Sequence, residues 1–193
     1  MIKRKVFFTS DTHYSHANII KYSNRPFANT HEMNEELITR YNSVVSQNDI
    51  VYHLGDFAFE RDESVLINII KRLNGEKHFI CGNHDKGMFK ESIMSLFNSF
   101  RKTPYAEIHV DDPDARGGKQ MIVLCHYAMR VWNKSHHGAF HLYGHSHGSL
   151  PDDQTMRSFD VGVDCWDYYP ISYNKVKEVM AAKKWKPIDH HGM

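Results

Sequence analysis

The first half of the chain alternates between two hydrophobic periods, and that alternation constrains the fold more than any other feature. Val6 to Thr9, Ile50 to Leu54 and His78 to Cys81 are short apolar runs bounded by polar, Gly or Asn positions, which is how buried strands read. Between them the apolar residues recur at helical spacing. Thr30 can cap one helix with Met33, Leu37, Tyr41, Val44 and Val45 on one face. Asp62 can cap another carrying Val65, Leu66, Ile69, Ile70 and Leu73, which stops at Gly75. A third pattern follows Asp85, with Met88, Ile93, Leu96 and Phe97 inward. This β-α-β-α-β order predicts a sheet of parallel strands covered by helices.

The second half changes character. Tyr105 to Val110, Lys119 to Cys125, Phe140 to Tyr143, Met156 to Ser158 and Phe159 to Val163 follow one another with short gaps, which predicts a more antiparallel, strand-rich half. Residues 111–118 (Asp-Asp-Pro-Asp-Ala-Arg-Gly-Gly) are turn chemistry and read as an exposed hairpin loop. Ser172 opens a last helix with Val176, Val179 and Met180 inward, and the cations from Lys183 to Lys186 suit its negative C-terminal end. With no internal repeat or long linker, the 193 residues read as one domain over 1–193, large enough to bury a core unaided.

Composition narrows the function. Three cysteines, Cys81, Cys125 and Cys165, are an odd number without CxxC spacing and read as core thiols in a reducing compartment. The basic start, Met1 to Lys5, precedes too short an apolar run for a signal peptide, and no stretch approaches the roughly 18 apolar residues of a membrane span, so a cytoplasmic location with no membrane partner is expected. A net charge of +1 does not imply tight, non-specific binding to long nucleic acid, whereas small anions and nucleic-acid ends remain open. The 15 histidines exceed what packing requires.

Those histidines enter five ordered motifs: Asp11-Thr12-His13, Gly55-Asp56, Gly82-Asn83-His84-Asp85, His126, and Gly144-His145-Ser146-His147. Each lies just past a predicted strand, and sites gather outside the carboxyl ends of parallel strands. Imidazoles with carboxylates suit first-row divalent ions, while the absence of thiolates argues against a structural zinc site. In extended backbone, residues two apart share a side, so Asp11 with His13 and His145 with His147 each form a two-ligand clip. Two cations about 3.5–4 Å apart can clamp a phosphoryl group and acidify a water between them.

In this order the motifs resemble the calcineurin-like metallophosphoesterase superfamily, whose pattern is D-x-H, G-D, G-N-H-[DE], H and G-H-x-H. The resemblance implies an α/β fold of two central sheets flanked by helices. It implies one ion held by Asp11, His13, Asp56 and His147, and a second held by Asp56, Asn83, His126 and His145, with Asp56 bridging. The ions would be two divalent transition metals, manganese ahead of iron, zinc, nickel or cobalt. The reaction would be phosphoester hydrolysis, mono- or diester, by a metal-bridging hydroxide, with His84 binding the phosphoryl group or protonating the leaving oxygen and Asp85 orienting it.

Arg25, Arg130, Trp132 and His16 lie soon after the first and fourth motifs, where their loops border the crevice. They are read as substrate contacts, arginine holding phosphate and tryptophan stacking on a base, which favours nucleotide-like substrates. The other histidines, among them His31, His53, His78, His109, His136, His137 and His141, read as surface or packing residues, and His190 and His191 as a fraying tail. Asp164 is expected to bond nearby loops. The competing readings are a non-catalytic scaffold for a partner protein on the same fold and a metal-storage or sensing module. Oligomeric state is not legible.

Overall fold

The computed structural model describes residues 4–188, so His190, His191 and the first three residues lie outside it. A five-stranded sheet runs in the order β4 (Ser99–Arg101), β3 (Glu76–Ile80), β2 (Ile50–His53), β1 (Val6–Thr9), β9 (Ile171–Ser172). Within it β1 to β4 are parallel and β9 is antiparallel to β1. A four-stranded sheet is ordered β5 (Tyr105–Asp111), β6 (Lys119–Cys125), β7 (Phe140–Tyr143), β8 (Ser158–Asp160).

Alternation in β1 shows how the layers form. Phe7 faces the helices, packing with Val51, Phe79, Met33, Leu37, Ile69 and Ile70. Phe8 faces the second sheet, where Ile80, Ile122, Leu124, Leu142, Phe159 and Val161 complete an inter-sheet core. Helices α1 (Ala17–Tyr22), α2 (Thr30–Val44), α3 (Glu63–Arg72) and α4 (Glu91–Met94) supply the outer layer. Helix α5 (Tyr173–Ala182) closes the inter-sheet core with Tyr173, Val176 and Met180. The result is the expected α/β sandwich of two sheets flanked by helices, and among the described residues no helix is long and apolar enough to cross a membrane.

Several local expectations change. Asn29, not Thr30, caps α2: its side chain accepts from Glu32 N at 3.0 Å while Glu32 reaches back to Ala28 N at 2.7 Å. Asp62 and Ser172 do cap α3 and α5. The 82–98 segment forms a 3-10 turn (Asp85–Met88) and the single-turn α4, where one longer helix was predicted. The second sheet is antiparallel only between β5 and β6; β6, β7 and β8 are parallel, because the chain returns through the 126–139 and 144–157 connections before each strand. The loop at 112–118 joins β5 to β6 as expected, but Asp112 is buried beneath Tyr173 Oη at 2.6 Å and Lys177 Nζ at 2.8 Å. Cys81 and Cys125 are buried free thiols, whereas Cys165 is exposed.

Candidate metal centre

Six strands, β1, β2 and β3 in one sheet and β6, β7 and β8 in the other, end on the same side, and every motif sits immediately beyond one of them. The loops are laced together at that edge. Asp11 N donates to Gly55 O and His13 N to Asp56 O, both at 3.0 Å. The sheets themselves join where Val163 N donates to Ser10 O at 3.0 Å. Gly55 adopts a left-handed conformation against the Gly82 backbone, which a side chain would strike. Asp11, His13, Asp56, His145 and His147 all have positive φ, between 47° and 68°. Five such residues in one site amount to stored strain that the surrounding hydrogen bonds must hold.

Two groups of donors result. Asp11, His13 and His147 form one, and Asp56, His126 and His145 the other, with ligand atoms in each within 4.8 Å of one another. Asn83 joins the second through its Oδ1, 3.0 Å from His126 Nε2. Asp56 lies between them: its Oδ1 accepts from His84 N at 2.9 Å, leaving Oδ2 3.6 Å from His13 Nε2 and 3.5 Å from His126 Nε2. In the same way Asp11 Oδ2 accepts from His145 N at 2.9 Å, and Oδ1 is left buried without a partner, as is His13 Nε2. Buried orphan acceptors are costly unless a cation or donor meets them, so these atoms fit a metal site.

Three imidazoles are oriented alike. Nδ1 of His126 lies 2.9 Å from Leu54 O, and Nδ1 of His147 lies 2.6 Å from Asp164 Oδ2. Nδ1 of His13 lies 3.3 Å from His16 Nδ1. A proton on each Nδ1, donated outward, leaves the Nε2 lone pair facing the site. Burial pushes Asp11 up to about 7 against the pull of His126 and His147, and burial lowers His13 to about 3. Burial raises Asp56 as well, but the hydrogen bond and charge of His126, with His84 N and His13, outweigh it and leave the carboxyl at about 2. The Asp56 carboxylate is therefore ionised throughout the neutral range.

The structure redistributes the remaining expected site residues. Arg25 is buried, not at the rim: it forks onto Asp164 and donates to the carbonyls of Asp11 and Thr12, because the turn after α1 folds it under the first motif. Trp132 is also buried, its Nε1 donating to Ala139 O at 2.9 Å, and cannot stack on a substrate. Arg130 is exposed but lines a shallow groove with Trp132, Met156 and Trp185, none of them a metal-group residue. Asp85 is not the partner of the His84 ring; both its oxygens accept backbone N–H groups, from Asp56, Phe57 and Gly82. His16 is at the site, stacked on Phe59 with ring centroids 4.3 Å apart. His53 and His141 are buried packing residues, as read from the sequence.

Two residues escaped the sequence reading. Phe59, 50% exposed, lies between His16 and His84, and Tyr127, 39% exposed, sits against His126 and His145. Their only signal was position, three residues after Asp56 and one after His126.

A two-sheet sandwich with two imidazole and carboxylate clusters at its strand ends defines a metal-dependent phosphoesterase. More narrowly, the chain belongs to the calcineurin-like phosphoesterase family, whose sequence model matches residues 4–172. An uncharacterized protein of Methanocaldococcus jannaschii is 33% identical over 95% of this chain and 96% of its own. The gene 66 protein of Mycobacterium phage D29 is 26% identical over 91% of this chain and 95% of its own. A crystal structure of a protein of unknown function from Aquifex aeolicus superposes with a TM-score of 0.71 at 26% identity, covering 92% of this chain and all of that one.

Proposed function

We propose that the protein hydrolyses phosphoesters with two divalent ions, one held by Asp11, His13, Asp56 and His147 and one by Asp56, Asn83, His126 and His145. The observation that carries this reading is the position of Asp56 Oδ2, which lies 3.6 Å from Nε2 of His13 in one group and 3.5 Å from Nε2 of His126 in the other. Bound there, two transition-metal ions, manganese first among manganese, iron, zinc, nickel and cobalt, supply Lewis acidity towards phosphoryl oxygens and a water acidic enough to ionise near neutral pH.

The chain's own groups do the rest. His84 is exposed beside the first group, its ring 5.8 Å from that of His13, and its backbone is pinned by Asp56. Its imidazole is free to hold a phosphoryl oxygen or to protonate the departing alkoxide. Phe59, against His84, and Tyr127, against His145, offer planar faces on the two sides of the centre, which supports a nucleotide-like substrate or a nucleic-acid end more than the buried Arg25 and Trp132 do.

Metal-reconstituted protein assayed for metal content and for turnover of bis-p-nitrophenyl phosphate, p-nitrophenyl phosphate and a nucleotide panel tests the reading. His84→Ala should keep both ions and lose about 10²–10⁴ in kcat, less for esters with good leaving groups. Wild-type protein holding two ions but turning over none of these esters would favour the non-catalytic scaffold.

A further inference from the structure

We propose that Arg25 is a positioning residue that aims His147 at its metal, acting through Asp164, and so governs the affinity of the group formed by Asp11, His13 and His147. This rests on the two-metal reading above. The Arg25 side chain is wholly removed from solvent and that of Asp164 is 7% exposed, although 139 residues separate them. Nε of Arg25 donates to Asp164 Oδ1 and Nη2 to Oδ2, both at 2.8 Å, a planar two-point clamp. The same guanidinium donates from Nη1 to Thr12 O at 2.9 Å and from Nη2 to Asp11 O at 2.7 Å. Asp164 Oδ2 in turn meets Nδ1 of His147 at 2.6 Å.

One buried cation is thus bonded to the backbone between Asp11 and His13 and, through one carboxylate, to His147. Those are the three members of one donor group and of no other. All three have positive φ, so their loops need to be held. A guanidinium beside a metal site would repel the metal; here Asp164 neutralises it while its fork fixes both Asp164 oxygens. In the second group, His126 is oriented by Leu54 O, outside the clamp. A lysine cannot reproduce the clamp, being a single point of charge.

The bland alternative is a staple that only tightens the fold, and binding of Mn²⁺ to the metal-stripped full chain, followed by calorimetry, separates the two. Arg25→Met and Asp164→Ala should weaken one of the two binding steps 10–100-fold and move the other less than about threefold. His147→Ala should weaken the same step at least as much, and adding Arg25→Met to it should cost much less than Arg25→Met costs the wild type, since the two act largely as a unit. Arg25→Lys should not rescue; Asp164→Asn, which keeps an acceptor for His147, should fall between. Equal weakening of both steps, additive effects with His147→Ala, or no effect would overturn the proposal. A second measurement needs no metal. Imidazole ¹⁵N spectra of metal-free protein, taken well above the imidazole titration range, should show the His147 proton on Nδ1 in wild type and a lost preference in Arg25→Met. If the wild type binds no ion, the two-metal reading fails, and an unchanged tautomer in Arg25→Met then sinks the positioning role separately.

Discussion

Asp85 lends itself to a quantitative test, because its side chain does one thing. It is fully buried, and Oδ2 accepts from Asp56 N at 2.7 Å and Gly82 N at 2.6 Å while Oδ1 accepts from Phe57 N at 2.8 Å. Hydrogen bonds to a charged group contribute about 1.5–3 kcal/mol each, which gives a gross value of roughly 5–9 kcal/mol for the three. The carboxylate's own burial opposes this, and it is strong enough to push the pKa of Asp85 above the usual carboxylate range despite the three donors. Net destabilisation of about 3–5 kcal/mol is therefore expected for Asp85→Ala, which strands three buried N–H groups. Asp85→Asn can keep its oxygen on the Asp56 and Gly82 amides but turns an NH₂ towards Phe57 N, so one bond is lost and about 2 kcal/mol with it. Urea denaturation of the metal-free variants at neutral pH measures both. The order wild type, Asn, Ala is required; Asp85→Ala within 1 kcal/mol of wild type would refute the three-bond account, and so would Asn being the worse substitution.

Asp56→Asn should weaken both ions and cost more activity than any other single ligand change, because its Oδ2 faces both donor groups; two retained ions with near wild-type turnover would remove it from the shared position. Metal affinity should rise with pH up to the neutral range and then level off. In the metal-free chain burial leaves Asp11 protonated below about 7, and His126 and His147, whose burial is outweighed by the carboxylates of Asp56 and Asp164 respectively, together with Asp11, hold their protons above the ordinary imidazole range. An incoming cation must displace those protons, each costing about tenfold in affinity per pH unit, whereas His13, lowered to about 3, costs nothing there. Calorimetry in buffers of different ionisation enthalpy should detect proton release that falls as the pH is raised through about 7, where Asp11 loses its proton; release that is constant or increasing across that pH contradicts the assignment.

What the sequence determined by itself was the chemistry of the strand ends and the period of the elements that carry them. Strands β1, β2, β3 and β6 and helices α2, α3 and α5 follow from local patterns of two and 3.6 residues, and the motif residues are named by their own donor atoms. Strand direction is not a local property. A buried strand reads the same whether its neighbour runs with it or against it, and only packing made β6, β7 and β8 parallel, which is what brings His126, His145 and Asp164 to the edge where β1 to β3 end. The role of each charged side chain near the motifs was likewise undetermined, since proximity in sequence does not say which way a loop turns. Arg25 was read as a rim arginine twelve residues beyond His13, yet its partner lies 139 residues away, and Asp85 serves amides 28 and 29 residues before it. Such buried polar groups are placed by the need to satisfy donors and charges that only meet once both sheets have closed, and that need has no trace in the local sequence.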